Sequence, residues 1–459
     1  MRTYPLLLWI VSCLAAMLSF AGSAIAVDTV KIATFNVDAT PPIGSPVAYA
    51  PARSIVDPLS ARGVVILAGD QKPVVLCAVD WIGIGNGGQD VWKEKLAAAA
   101  GTTPDRVAVH VLHQHDGCRC DFSAEALLQP HGLENIRMDQ KFAMEVIARV
   151  SAAIVQAKSK ARVVTHVGIG KAKVEKVASN RRIMSADGKK VEMVRYTACR
   201  DPKAIAAPEG TIDPFVQVLS FWNKDQAVVS ISYYATHPQS HYGKGDVSCD
   251  FPGIARRMRE EAVPGVAHIH FDGAGGNIGA GKYNDGSPER RPILAARLAK
   301  GMKLAWQATE KYPLIAADVN WATVPVALPP AKHLDEQKML QVLNDDKAKQ
   351  KDRLAVVGSL SWLQRCKAGY QVPIGRLRLG EIDVLHMPGE LFVEYQLNAQ
   401  KLRPGHAVLM AAYGDYGPGY IGTEVAYGEG GYETSERASD VAPEVEGVLM
   451  DGVKKLLAR

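Results

Sequence analysis

Short apolar runs with strand character alternate with amphipathic helical stretches along the chain, and several runs stop abruptly at a histidine, an acid or a glycine cluster. A segment such as Arg106–His113 is apolar on both faces yet far too short to cross a bilayer, so it must be covered from both sides by other elements. Ala227–Ala235 reads the same way. Alternation of such strands with helices predicts an α/β fold, a mixed β-sheet core with surrounding helices. Val64–Leu67 and Val74–Val79 are expected to pair as a hairpin. Gln89–Ala100 is an alanine-rich helix stopped by Gly101. Ile136–Ala157 is a long amphipathic helix, Gly253–Ala262 another, and Val266–Phe271 a strand running into the glycines of Gly273–Gly286. Pro288–Lys311 is read as helix, Asp318–Leu328 as strand, and Pro329-Pro330 as a break within one domain. His333–Leu363 is charged and helical, expected as a solvent-facing hairpin or lid. Ile374–Leu379 and Ile382–Met387 form a hairpin around Gly380-Glu381. A helix over Leu391–Leu402, a strand over Ala407–Ala412, a loop over Tyr413–Tyr432 and a helix over Val441–Leu457 complete the reading. No internal repeat is visible in the sequence.

Residues 1–26 have the form of a signal peptide. Arg2 precedes an apolar run from Leu6 to Phe20, and Ala24-Ile25-Ala26 has the small-x-small pattern of a cleavage site. Export to the periplasm or the extracellular space is therefore expected, with lipidation at Cys13 as a lesser alternative. The mature chain, 27–459, is expected to be a single domain. It contains no further segment apolar enough to span a membrane. The net charge of +5 is spread among mixed signs, and no lysine and arginine stripe marks a nucleic-acid partner. Six cysteines follow the signal: Cys77, Cys118, Cys120, Cys199, Cys249 and Cys366. An exported chain permits disulfides, and buried free thiols are the alternative; Cys118 and Cys120 are too close to pair with each other. CxxC pairs are absent, which makes these cysteines poor zinc ligands.

Four polar clusters fall at or just beyond the ends of predicted strands, where ligands gather in α/β sheets. The first is His113-Gln114-His115-Asp116-Gly117. Continued extended backbone would turn His113 and His115 to one side and Gln114 to the other, giving half of a metal site. The second, Thr236-His237-Pro238-Gln239-Ser240-His241, fixes His237 at a strand exit, because proline ends the pairing. The third, Asp272-Gly273-Ala274-Gly275-Gly276-Asn277-Ile278-Gly279-Ala280-Gly281-Lys282, offers close backbone approach and free N–H groups but lacks P-loop spacing. The fourth, Met387-Pro388-Gly389-Glu390, puts a carboxylate at a strand-to-helix turn. Taken singly, each histidine could be an ordinary core or loop residue and Glu390 an ordinary helix N-terminal acid.

The order of these clusters, with the tyrosine loop behind them, resembles the neutral/alkaline ceramidase family in its N-terminal, catalytic domain. Asp38-Ala39-Thr40-Pro41-Pro42-Ile43-Gly44, Cys77-Ala78-Val79-Asp80 and Ser179-Asn180-Arg181 resemble further family segments, so the likeness runs from Val30 to about Ala438. It implies a ceramidase-like fold and a zinc ion held by His113, His237, Glu390 and Tyr420. It also implies His115 and Tyr432 as catalytic groups, with Asp116 a further candidate base where the family motif has serine. Arg181, Asn277 and Lys282 fall at substrate-binding positions. The chain departs from the family in the glycine loop, where Ala280 replaces an aspartate and Lys282 the active-site serine. It also ends without the family's C-terminal immunoglobulin-like domain.

The leading expectation is thus an exported zinc-dependent hydrolase cleaving an amide-like, N-acyl bond of a small or lipid-like substrate through metal-activated water. Two alternatives stand beside it: a non-catalytic metal-containing binding protein of the same fold, and an ester or phosphoester hydrolase using Lys282 and Arg181 as anion-binding cations.

Overall fold

A computed structural model describes residues 28–458 of the chain; the predicted signal peptide lies outside the described residues. Three sheets follow one another along the sequence. The first contains β1 (Val30–Asp38), β2 (Ser60–Ala68), β3 (Val74–Val79), β4 (Val107–Val111) and β5 (Arg162–Val164), in the order β4-β3-β2-β1-β5. The second contains β6 (His166–Lys173), β7 (Phe215–Asn223), β8 (Gln226–Tyr234), β9 (Ala267–Asp272) and β10 (Glu310–Pro313), in the order β9-β8-β7-β6-β10. The third is β11 (Val319–Val326), β12 (Val372–Leu379), β13 (Ile382–His386) and β14 (Ala407–Ala411), in sequence order.

All three sheets follow one plan. Three strands meander antiparallel, a helix crosses over, and a fourth strand returns parallel to the third. The pairs β3–β4, β8–β9 and β13–β14 are parallel, and every other pairing within these sheets is antiparallel. The crossover helices are Gly87–Ala100, Asp250–Ala262 and Val393–Leu402, as a parallel connection requires. A later helix completes each unit: Gln140–Ser159, Arg290–Gln307 and Val445–Ala458. The threefold repetition lies in the topology and left no matching residue pattern, which is why no repeat is visible in the sequence.

Burial explains why the strands read as they did. Every residue of β3, β4 and β13 is buried, since sheet faces on one side and helices on the other cover them. Val64, Ile66, Leu76 and Ala108 of the first sheet, Leu219, Phe221 and Ile231 of the second, and Leu377, Val384 and Leu409 of the third share one core. Gly101 ends the first crossover helix at φ 71°, a left-handed position that glycine adopts without strain.

Several boundaries differ from expectation. The helix predicted over Pro288–Lys311 stops at Gln307, and Glu310–Pro313 pairs along β6 as an edge strand. The region 333–363 does form a helical hairpin, Glu336–Asn344 and Gln350–Lys367. Its second helix buries Val357, Leu360 and Trp362 against the body of the protein, so it is anchored packing and not a solvated lid. The tyrosine loop contains a two-residue strand, Tyr420–Ile421, and a short helix, Glu424–Glu429. Strands β1, β6 and β7 carried no clear signal in the sequence. All six cysteines among the described residues are free thiols, four of them buried. No helix among the described residues is long and apolar enough to cross a membrane.

Candidate metal centre

The carboxyl ends of the three parallel strand pairs point their following loops at one place, and each unit contributes to it. His113 follows β4, His237 follows β8, and Glu390 follows β13. His113 Nε2 lies 3.2 Å from Glu390 Oε2 and His237 Nε2 lies 3.5 Å from that same oxygen. His115 Nε2 is 3.2 Å from His113 Nε2. The nitrogens of His113, His115 and His237 all lie within 4.8 Å of one another, and the three buried histidines can hold a metal ion.

Backbone geometry brings them together in a way alternation did not foresee. Strand β4 ends at Val111, and His113 has φ 54°, so the two histidines do not follow from an extended i, i+2 arrangement. A left-handed non-glycine residue is strained, and such strain persists where tertiary contacts impose the conformation. Here the Ile82 carbonyl, 2.6 Å from His113 Nδ1, fixes the ring.

Hydrogen bonding sorts the imidazoles. His113 Nδ1–H donates to Ile82 and His237 Nδ1–H to the Gly275 carbonyl at 3.3 Å, because a carbonyl can only accept. Both Nε2 atoms are then bare lone pairs facing the centre. His115 is arranged the other way. Gln239 Nε2 lies 2.6 Å and the Tyr49 hydroxyl 2.9 Å from its Nδ1, and with these as donors the proton of His115 is on Nε2, facing His113. Burial, followed by the neighbouring histidines, holds His115 and His237 well below the usual imidazole range, so both are neutral. For Glu390, burial pushes the carboxyl upward, and the hydrogen bond that the Tyr416 hydroxyl donates to Oε1 opposes it.

The tyrosine loop closes the site. Glu390 and Tyr420 are register partners in a short parallel ladder, and the Tyr420 ring lies parallel to that of His237 at 6.0 Å. Arg181 Nη1 donates to the Tyr420 hydroxyl at 3.0 Å, and its Nε lies 2.9 Å from Glu433 Oε1. Burial raises the Tyr420 phenol well above its ordinary range, opposed by Arg181. Tyr432 packs edge-on against Tyr420 at 5.7 Å. At the surface Tyr49, Tyr242 and Tyr196 are about half exposed and frame the approach to His115 and Tyr432.

Three further predicted residues are engaged elsewhere. Asp116 accepts from the Gly243 N–H at 2.9 Å and faces Arg291; burial raises it to about 6. Asn277 is a clamp on the third crossover helix: its Oδ1 accepts from the Val393 N–H and its Nδ2 donates to Glu394. Lys282 Nζ donates to the carbonyls of Ile205 and Ala207 at 2.6 and 2.5 Å. The glycine loop likewise turns inward. The N–H groups of Gly273 and Gly276 are bonded to Tyr234 and Leu391 carbonyls, and a Cβ on Gly276 would sit 2.2 Å from the Glu390 carbonyl oxygen. These glycines let backbone meet backbone; they are not a cradle for an anion.

Sequence reasoning missed Tyr416, whose hydroxyl donates to Glu390 Oε1 at 2.6 Å, and Glu433, Gln239 and Tyr49. Gln239 and Glu433 adjoin residues already singled out, and their positions were the available signal. Tyr49 had none.

No protein-family profile matches the sequence, and no curated protein matches it. Solved structures do. One described as a ceramidase complexed with C2 superposes with a TM-score of 0.67 at 16% identity, covering 94% of this chain and 76% of its own. The neutral ceramidase from Pseudomonas aeruginosa gives a TM-score of 0.64 at 18% identity, covering 94% and 75%. The chain therefore has the ceramidase fold over nearly its whole length, in a sequence that has diverged far from these structures.

Proposed function

We propose that this protein is an exported zinc-dependent hydrolase that cleaves an amide-like, N-acyl bond in a small or lipid-like substrate. The observation that carries the reading is the meeting of His113 Nε2, His237 Nε2 and Glu390 Oε2 at 3.2–3.5 Å. The last two atoms are buried without a hydrogen-bond partner, a costly arrangement unless a cation occupies the space between them. Two imidazoles, a carboxylate and a neighbouring phenol suit zinc. When bound, zinc supplies a Lewis acid that polarises a carbonyl and makes water nucleophilic near neutral pH.

The chain's own groups do the rest. The Ile82 and Gly275 carbonyls hold the ligand rings, and Tyr416 orients Glu390. Tyr420 completes the ligand set, with the Arg181 guanidinium favouring its phenolate form. His115, with its proton on Nε2 at the edge of the centre, would donate to the oxygen that gains charge as the carbonyl carbon becomes tetrahedral, and the hydroxyl of Tyr432, packed on Tyr420, would supply a second donor. Neither Asp116 nor Lys282 is needed for this chemistry. That the structural neighbours are ceramidases supports an N-acyl bond as the target.

One observation favours the non-catalytic alternative. The position of the family's active-site serine is Lys282, tied to backbone carbonyls, and the nearby Ala280 is buried in the core. Zinc analysis of purified protein, coupled to turnover of a panel of N-acyl amides, decides between them. We expect about one zinc per chain, lost in His113→Ala and Glu390→Gln, and turnover that requires it. Unchanged metal content in both variants refutes the centre. Zinc without turnover of any amide, ester or phosphoester leaves the binding-protein reading.

A further inference from the structure

Next to the metal centre, with the Tyr416 ring in its wall, lies a cavity of ≈ 230 Å³ whose wall also includes Arg119, Arg137 and Arg437. Arginines in a protein wall are ordinarily paired with carboxylates, because an uncompensated buried guanidinium is costly. No ion pair within 4.0 Å forms on any of these three among the described residues. The one hydrogen bond of Arg119 is a long 3.5 Å contact to the Ala48 carbonyl. Arg137 Nη1 is buried with no partner at all. Arg437 stands at the exposed rim.

The acids of the same wall do not supply the missing charge. Asp121 is committed to Asn86, Ser123 and the Ala124 N–H; Glu125 accepts from the Asn135 N–H and Asp440 from Ser359. Burial raises all three, and the hydrogen bonds they accept come from neutral donors, none from a guanidinium. Burial and the neighbouring Arg119 also bring Arg137 down to about 10, with Asp121 and Glu125 offsetting only part. The cavity is therefore short of an anion.

Its position ties it to the chemistry. The Tyr416 ring is part of the cavity wall and stacks on His113 at 5.2 Å, while its hydroxyl is bonded to Glu390. Arg119 is near enough to Tyr49, His115 and Tyr416 to act on their charges. A planar guanidinium fork matches a carboxylate or a phosphate in geometry as well as charge.

We propose that this cavity is a substrate subsite for an oxyanionic group, a carboxylate or a phosphate, carried by the molecule whose bond is cleaved at the metal centre. The proposal rests on the hydrolase reading of that centre. The preferred substrate is then an anionic N-acyl compound, and an uncharged one leaves Arg119 and Arg137 unpaired.

Matched substrates test this. N-acylglycine is compared with N-acylglycinamide, and N-acylethanolamine phosphate with N-acylethanolamine, at one acyl length on the zinc-loaded protein. We expect kcat/KM to favour the anionic member by about 10–100-fold, the worth of one or two charge-assisted hydrogen bonds. Whichever pair shows the larger ratio identifies the anion. In Arg137→Gln and Arg119→Gln, checked for an unchanged melting temperature, the ratio falls toward one. A wild-type ratio near one for both pairs, or a ratio unmoved in both variants, overturns the subsite. If no member is turned over, the hydrolase reading has failed, and calorimetric binding of N-acylglycine and N-acylglycinamide judges the cavity separately. Anion preference in zinc-loaded and metal-stripped protein alike, lost in Arg137→Gln, retains the anion site; equal binding removes it.

Discussion

Gly276→Ala probes the claim that the glycine loop sets the position of Glu390. An added Cβ would lie 2.2 Å from the Glu390 carbonyl oxygen and 2.9 Å from both the Glu390 carbonyl carbon and the Leu391 oxygen. Restoring a carbon–oxygen contact of ~3.3 Å requires the two segments to part by roughly 1 Å. The same movement stretches the Gly276 N–H bond to Leu391, now 2.7 Å. Overpacking of this kind costs about 1–3 kcal/mol. With unfolding entropy of ~2.1 cal/mol/K per residue over roughly 430 residues, that is only about 1–3 °C in Tm. The larger effect falls on the metal, because a ligand tolerates a displacement of ~0.5 Å and loss of its support costs about 10–100-fold in affinity. Competition with a chelator measures zinc affinity, and a thermal melt measures stability. Gly447→Ala is the control: nothing lies within 4 Å of its Cβ, it sits inside the helix Val445–Ala458, and it should stabilise by ~0.5–1 kcal/mol. Zinc affinity in Gly276→Ala within twofold of wild type would refute the positioning argument.

Three more outcomes are expected. His115→Ala should retain zinc and lose about 10²–10³ in kcat, since it removes a donor to the developing oxyanion and not a ligand; loss of the metal would reassign His115 to the ligand set. Asp80→Ala strands Arg256, now paired with it at 2.7 Å in the core, and should cost ~3–5 kcal/mol in urea unfolding; a loss below ~1 kcal/mol contradicts the pairing. Asp440, raised by burial to about 6 from 3.8, binds a proton on folding between those values, so its contribution to stability falls as pH rises through that window. Asp440→Asn should remove a penalty on the order of 2–3 kcal/mol at pH 7.5 and little at pH 4, measured by denaturant titration at both; an equal effect at both pH values argues against it.

Elements with strong periodicity were legible in the sequence. The valine-rich, fully buried β4, the core of β8, the crossover helices and the hairpin of β12 and β13 appeared where a period of 2 or 3.6 and a clear glycine or proline stop coincided. The threefold plan was not legible, because it consists of which strands pair and in which direction. Units of different residues can satisfy one such pattern. The edge strand Glu310–Pro313 was hidden for the same reason: only the proximity of β6 makes it a strand.

By itself, the sequence determined the chemical types at the centre and their order: histidine after β4, histidine after β8, carboxylate after β13, tyrosine beyond β14. Side-chain chemistry is a local property and can be read residue by residue. Which of these groups keep a free lone pair was decided by tertiary structure alone. His113 and His237 are aimed inward because the carbonyls of Ile82 and Gly275 take their other nitrogens. Lys282, Asn277 and Asp116 looked equally able, yet distant segments occupy them. Arg119, Arg137 and Arg437 are scattered along the sequence, and folding alone places them on one wall of the neighbouring cavity without an ion pair. A buried polar atom is defined by what it lacks, and that depends on contacts between residues tens to hundreds of positions apart.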